Sequence, residues 1–124
     1  MEDLAVVKIE LKEHEVLRLA TDLEIPNGAE VAAVGFPRFF DAKSATINTG
    51  VVAMNAREFL GKTWIQTDAT INGGNSGGPL LSSNGSVVGV VTLKVNDVDN
   101  VNLAIPMDVV SKFLKRYKRR IYAE

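Results

Sequence analysis

Short apolar runs rich in β-branched residues, separated by turn residues, fill the chain as far as Ile105, after which the hydrophobic period changes. Leu4 to Leu11, Glu30 to Phe36, Ala45 to Met54, Thr63 to Asp68, Pro79 to Ser82, Ser86 to Val95 and Val101 to Ile105 each read as a strand. The breaks between them are Pro26-Asn27-Gly28, Phe36-Pro37, Asn72-Gly73-Gly74, Ser83-Asn84-Gly85 and the polar stretch from Asn96 to Asn100. Asn84-Gly85, between Leu80-Leu81 and Val87-Val88, predicts a hairpin because both residues tolerate positive φ. Strands at this spacing predict an all-β barrel or sandwich. Val109, Val110, Phe113, Leu114 and Tyr117 then fall at helical spacing and predict a closing helix over about 107–120, capped by Asp108. Lys115, Arg116, Lys118, Arg119 and Arg120 near its end read as a solvated face favoured by the helix dipole.

Composition narrows the class without naming a function. A chain of 124 residues is one domain, able to bury roughly two thirds of its unfolded surface. With 46% apolar and 23% charged residues it has the make-up of a globular protein rather than a disordered one. A net charge of -1 supplies no long-range attraction to nucleic acid or membrane. There is no cysteine, so disulfide-stapled secreted digestive enzymes are poor analogues. No apolar run is long enough to span a bilayer, and no basic region followed by an apolar core marks a leader, so the compartment stays open.

The residues that carry chemistry lie together in Asn72-Gly73-Gly74-Asn75-Ser76-Gly77-Gly78-Pro79-Leu80. Acyl transfer needs a nucleophile on a tight turn, with backbone N–H groups aimed where a carbonyl oxygen becomes an oxyanion. Gly74 is expected to take backbone angles closed to other residues, and Gly77 and Gly78 to leave room for substrate and the next strand. Gly74-Asn75-Ser76-Gly77-Gly78 also satisfies the G-x-S-x-G pattern of α/β-hydrolases. That motif demands a helix and a histidine after the serine, whereas here Pro79-Leu80-Leu81 leads into a hairpin and no histidine follows.

The run from Trp64 to Leu80, W-I-Q-T-D-A-T-I-N-G-G-N-S-G-G-P-L, closely resembles the nucleophile region of HtrA/Deg serine proteases of the trypsin-like, chymotrypsin-fold class. Asn84-Gly85 with Val88-Gly89-Val90-Val91, Leu103-Ala104-Ile105-Pro106, Val34-Gly35-Phe36-Pro37 and Thr49-Gly50-Val51-Val52 resemble further family segments in the same order. Asp3-Leu4-Ala5-Val6-Val7-Lys8-Ile9 resembles the segment bearing the family's catalytic aspartate. The resemblance implies a Greek-key β-barrel, the second barrel of the chymotrypsin fold, with a C-terminal α-helix. Residues 1–12 would be the last strand of the first barrel, and residues 13–124 the second barrel with its closing helix.

By the same resemblance Ser76 is the nucleophile of a serine endopeptidase that passes through an acyl-enzyme. The N–H groups of Gly74 and Ser76, with Gly73, form the oxyanion hole, and Asp3 orients the general base. Thr70, Ile71, Val91, Thr92 and Leu103 line or flank the primary specificity pocket. No carboxylate stands at Thr70, so the pocket is expected to take small or medium aliphatic side chains rather than Lys or Arg. The implied partners are polypeptide substrates and a first barrel from the same native polypeptide or another chain. A homo-oligomer is compatible, a nucleic acid is not implied, and no metal or cofactor is needed.

One departure from the family pattern bears on activity. The triad order is His, Asp, Ser, yet the single histidine, His14, follows Asp3 in a connection that runs over the surface, and reads as a solvated loop residue. These residues are therefore expected to be inactive in isolation. The alternative is a non-catalytic protease homologue that binds peptides or a partner protein through the old groove.

Overall fold

The computed structural model describes residues 3–12, 14–21, 25–36, 44–94 and 101–122. Val95 and the break from Asn96 to Asn100, like Pro37, lie outside them. Six strands precede one helix: β1 (Glu30–Gly35), β2 (Thr46–Phe59), β3 (Lys62–Thr67), β4 (Pro79–Ser82), β5 (Val87–Lys94), β6 (Asn102–Pro106) and α1 (Met107–Tyr122). The strands close into an antiparallel barrel in the order β1-β2-β3-β6-β5-β4, with β4 pairing back onto β1. Because β3 and β4 are not neighbours in that ladder, the chain between them must jump across the barrel end. That jump, residues 68–78, is the motif-bearing segment.

Alternation explains the core. Val31 and Ala33 of β1 point inward with Val52, Ile65, Leu80, Val88, Val91 and Ala104, and Ile71 plugs the same cluster from the jump. Burying each of the Val, Leu and Ile side chains contributes about 1.5–3 kcal/mol. Trp64, Leu103 and Ile105 form a second cluster with Met107 and Val110 of α1, which is how the helix docks. Asp108 lies within the first helical turn rather than before it, since the helix starts at Met107 directly after β6; the expected cap is thus a first-turn acid, favourable to the dipole all the same.

β2 differs most from expectation. It runs on past Met54 to Phe59, its first half paired with β1 and its second with β3, with register shifts between Val52 and Met54 and between Met54 and Arg57. Such bulges bend a long strand around a small barrel. The N–H of Asn55, inside the second irregularity, donates to Asn27 Oδ1 at 2.7 Å, and Asn55 Nδ2 donates to the Ile25 carbonyl at 2.9 Å. The turn to β3 is Leu60-Gly61, with φ of 53° and 73°, the two-residue turn whose twist matches a hairpin. Leucine is no turn signal, which is why the sequence pattern did not mark it. At the predicted Asn84-Gly85 hairpin only Gly85 takes positive φ, at 83°. Asn84 instead accepts at Oδ1 from the Ser86 N–H, at 3.0 Å.

Residues 3–12 are not a strand, contrary to the reading of Leu4 to Leu11. A strand needs a ladder partner, and the closed barrel offers no free edge. Leu4 reaches the second core cluster, while Val7, Ile9 and Leu11 are exposed. Further on, Leu19 bridges Val87, with the Val87 N–H donating to the Arg18 carbonyl at 2.8 Å, so the connection rests on the start of β5.

Candidate active site

The jump is anchored before it reaches the serine. Thr67, wholly buried at the end of β3, donates through Oγ1 to the Val51 carbonyl at 2.7 Å and accepts from the Ala69 N–H at 3.1 Å. Asp68 Oδ1 accepts from the Val51 N–H at 2.7 Å. The Ala69 carbonyl accepts from Asn102 Nδ2 at 2.9 Å. Two amides then converge on the Thr70 carbonyl, Asn48 Nδ2 at 3.0 Å and Asn75 Nδ2 at 3.3 Å. Asn75 is 2% exposed, so the residue beside the serine is a buried anchor. Asn48 carried no signal in the sequence, because its role depends on register between β2 and the jump.

The serine loop consists of linked turns. The Asn75 N–H donates to the Asn72 carbonyl at 3.0 Å, and the Gly78 N–H to the Asn75 carbonyl at 2.9 Å. On the β5 side, Gly77 N–H donates to the Val91 carbonyl at 2.7 Å and Val91 N–H to the Gly78 carbonyl at 2.9 Å. The residue with positive φ is Gly77, at 85°, and not Gly74 as expected. On the other side, the Phe36 N–H donates to the Gly74 carbonyl at 3.2 Å, and Gly78 lies against the Val34 carbonyl. Among the described residues, the N–H groups of Gly73, Gly74 and Ser76 have no hydrogen-bond partner. They are thus available to an external acceptor.

Ser76 is exposed, and its Oγ donates to the Thr92 carbonyl at 3.1 Å. Thr92 Oγ1 donates in turn to Asp3 Oδ2 at 2.9 Å. Thr92 is the extra residue in the β5–β6 ladder, since Val91 pairs with Ala104 and Leu93 with Leu103. The bulge frees it from the regular alternation and aims its two oxygens at two different site residues. A peptide carbonyl cannot take a proton from the serine, so this hydroxyl is held but not activated. His14 is exposed, in the connection beyond residues 3–12.

The five pocket candidates divide. Thr70 is exposed and its carbonyl is tied to Asn75, the chain neighbour of Ser76, whereas Thr92 is half-buried and its carbonyl accepts from Ser76 itself. Ile71 and Val91 are 3% and 1% exposed and fill the barrel interior, while Leu103, 1% exposed, packs in the cluster beneath α1, so none of the three lies on an open surface.

The closed Greek-key barrel, its end-crossing serine loop and the carboxylate brought to the same strand define a serine-protease barrel. The family profile of the trypsin-like peptidase domain matches residues 1–90, and the chain belongs to that family. It is similar to human serine protease HTRA3, with 40% identity over 94% of this chain and 26% of that protein. It is likewise similar to serine protease HTRA1 of Xenopus laevis, with 40% identity over 95% of this chain and 26% of that protein. The chain thus spans about a quarter of the length of these HtrA relatives. The crystal structure of the serine endoprotease from Yersinia pestis superposes with a TM-score of 0.72 at 27% identity, over 88% of this chain and 38% of that one.

Proposed function

We propose that these residues are the nucleophile-bearing part of an HtrA-like serine endopeptidase that cleaves polypeptides through an acyl-enzyme at Ser76. The observation that carries the proposal is the meeting of Ser76 and Asp3, from opposite parts of the chain, on the single residue Thr92. The unpartnered N–H groups of Gly74 and Ser76, with Gly73, serve as the oxyanion hole. Asp3 orients a general base that these residues do not include, because their one histidine is on the exposed connection. Residues 1–12 belong with a first barrel, and residues 13–124 form the second. Thr70 and Thr92 border the specificity pocket, which takes aliphatic side chains.

Without a base the chain turns over no substrate. Losing the triad histidine lowers turnover on the order of a millionfold in proteases of this chemistry. The test compares casein and aliphatic peptide hydrolysis by this chain, by Ser76→Ala and by His14→Ala, and repeats it after adding a histidine-bearing first barrel from an HtrA protease. Activity restored by that barrel and abolished by Ser76→Ala is the expected result. Ser76-dependent turnover by the chain alone would sink the assignment of the base, and complementation indifferent to Ser76→Ala would sink that of the nucleophile.

A further inference from the structure

The net charge of -1 conceals a segregation of charge. Six of the 14 Lys and Arg residues lie between positions 112 and 120, while the only acid in α1 is Asp108, in its first turn. The rest of the chain is therefore acidic. Along α1, Val110, Leu114 and Tyr117 recur on the barrel side, buried or half-buried, and Lys112, Lys115 and Arg116 fall at i, i+3 and i+4 on the opposite, exposed side. Lys118 is exposed as well, and the basic run continues through Arg119 and Arg120 in the sequence. Among the described residues, Lys112, Lys115, Arg116 and Lys118 form no salt bridge. Four exposed cations on one helix, with no salt bridge among the described residues, make a concentrated basic surface.

We infer that the outer face of α1 is a docking surface for the anionic lipid headgroups of a membrane, which the chain meets peripherally. Among the described residues no helix is long and apolar enough to cross a membrane, and the apolar face of α1 is already engaged by the barrel. Attraction must then come from charge at the surface rather than from insertion. A polynucleotide fits less well. Single-stranded binders add stacking platforms, and Phe113 and Tyr117 are half-buried rather than presented outward. The acidic remainder of the chain also opposes wrapping by a polyanion, whereas a flat bilayer engages one face and leaves the rest in water.

Cosedimentation with vesicles tests this. The chain should bind phosphatidylcholine vesicles containing about a third phosphatidylserine, and not phosphatidylcholine alone, with binding falling as salt is raised. Each lysine or arginine at an anionic surface is worth roughly fivefold in partitioning. Lys112→Gln combined with Lys115→Gln, Arg116→Gln and Lys118→Gln should therefore lose on the order of a hundredfold or more. A second variant with Lys112→Arg, Lys115→Arg and Lys118→Arg should bind as the parent does, and so should Ser76→Ala, since the surface is independent of the serine. Equal binding to neutral vesicles would overturn the inference and assign the attraction to exposed Val7, Ile9 and Leu11. Retention in the glutamine variant, or tighter binding to double-stranded RNA at matched phosphate concentration, would overturn it too.

Discussion

Thr67→Val tests how the serine loop is held to the barrel. The two side chains are nearly the same shape, so packing in this wholly buried position barely changes while the hydroxyl disappears. Two hydrogen bonds go with it, the 2.7 Å bond to the Val51 carbonyl and the 3.1 Å bond from the Ala69 N–H. Val51 keeps a weaker donor in the Asp68 N–H at 3.4 Å. Ala69 is fully buried and its N–H has no other acceptor among the described residues, so that N–H becomes an orphan. A lost hydrogen bond costs about 1 kcal/mol and an unsatisfied buried donor about 1–3 kcal/mol, so the expected destabilisation is about 2–4 kcal/mol. With a urea dependence of about 1.5 kcal/mol/M the unfolding midpoint should fall by roughly 1.3–2.7 M at unchanged slope, whereas Thr67→Ser should stay within about 1 kcal/mol of the parent. A midpoint within about 0.5 M of the parent for Thr67→Val would refute the reasoning, because it would mean that Ala69 is not held through Thr67.

Two neighbouring glycines should behave differently. Gly77→Ala places its Cβ in open space but on a backbone with φ of 85°, so it should cost about 1–2 kcal/mol with the amide signals of Val34 and Val91 undisturbed. Gly78→Ala drives its Cβ into the Val34 carbonyl, so β1 or the loop must shift, and the same two amide signals should move in the nitrogen–proton correlation spectrum. The opposite pattern of shifts would show that the two roles are reversed. Leu60→Asn replaces a leucine held at φ 53° and mostly exposed with a residue suited to that conformation, and should raise the thermal midpoint by about 2–5 °C. A lower midpoint would contradict the turn assigned there.

Where periodicity and turn chemistry coincide, the fold was legible. β1, β3, β4, β5, β6 and the closing helix lie within one or two residues of their predicted limits, because each carries an inward-facing alternation or a helical stripe bounded by Gly, Pro or Asn. The serine loop was legible through its density of small residues. Other features depend on pairing rather than on local chemistry. The extension of β2 to Phe59 rests on bulges, which shift the alternation and hide it from a fixed period of two. Leu4 to Leu11 alternates well enough but finds no unpaired edge, a property of the closed ladder that no local window contains. Thr92 was noticed only as a pocket residue. Its bridging of Asp3 and Ser76 depends on being the unmatched residue between β5 and β6, and that is fixed by register.

The barrel closes without residues 3–12, and the loop around Ser76 is tied entirely to β1, β5 and the jump that contains it. Asp3 reaches this finished assembly through one side-chain hydrogen bond to Thr92, with Leu4 packing beside it. The Ser76 hydroxyl and the loop amides are held by the barrel, whereas the carboxylate is held by a docked segment. Releasing that segment would withdraw the Asp3 carboxylate from Thr92 while leaving the Ser76 hydroxyl and the unpartnered loop amides where they are, so an intact scaffold and a placed carboxylate are two separable conditions.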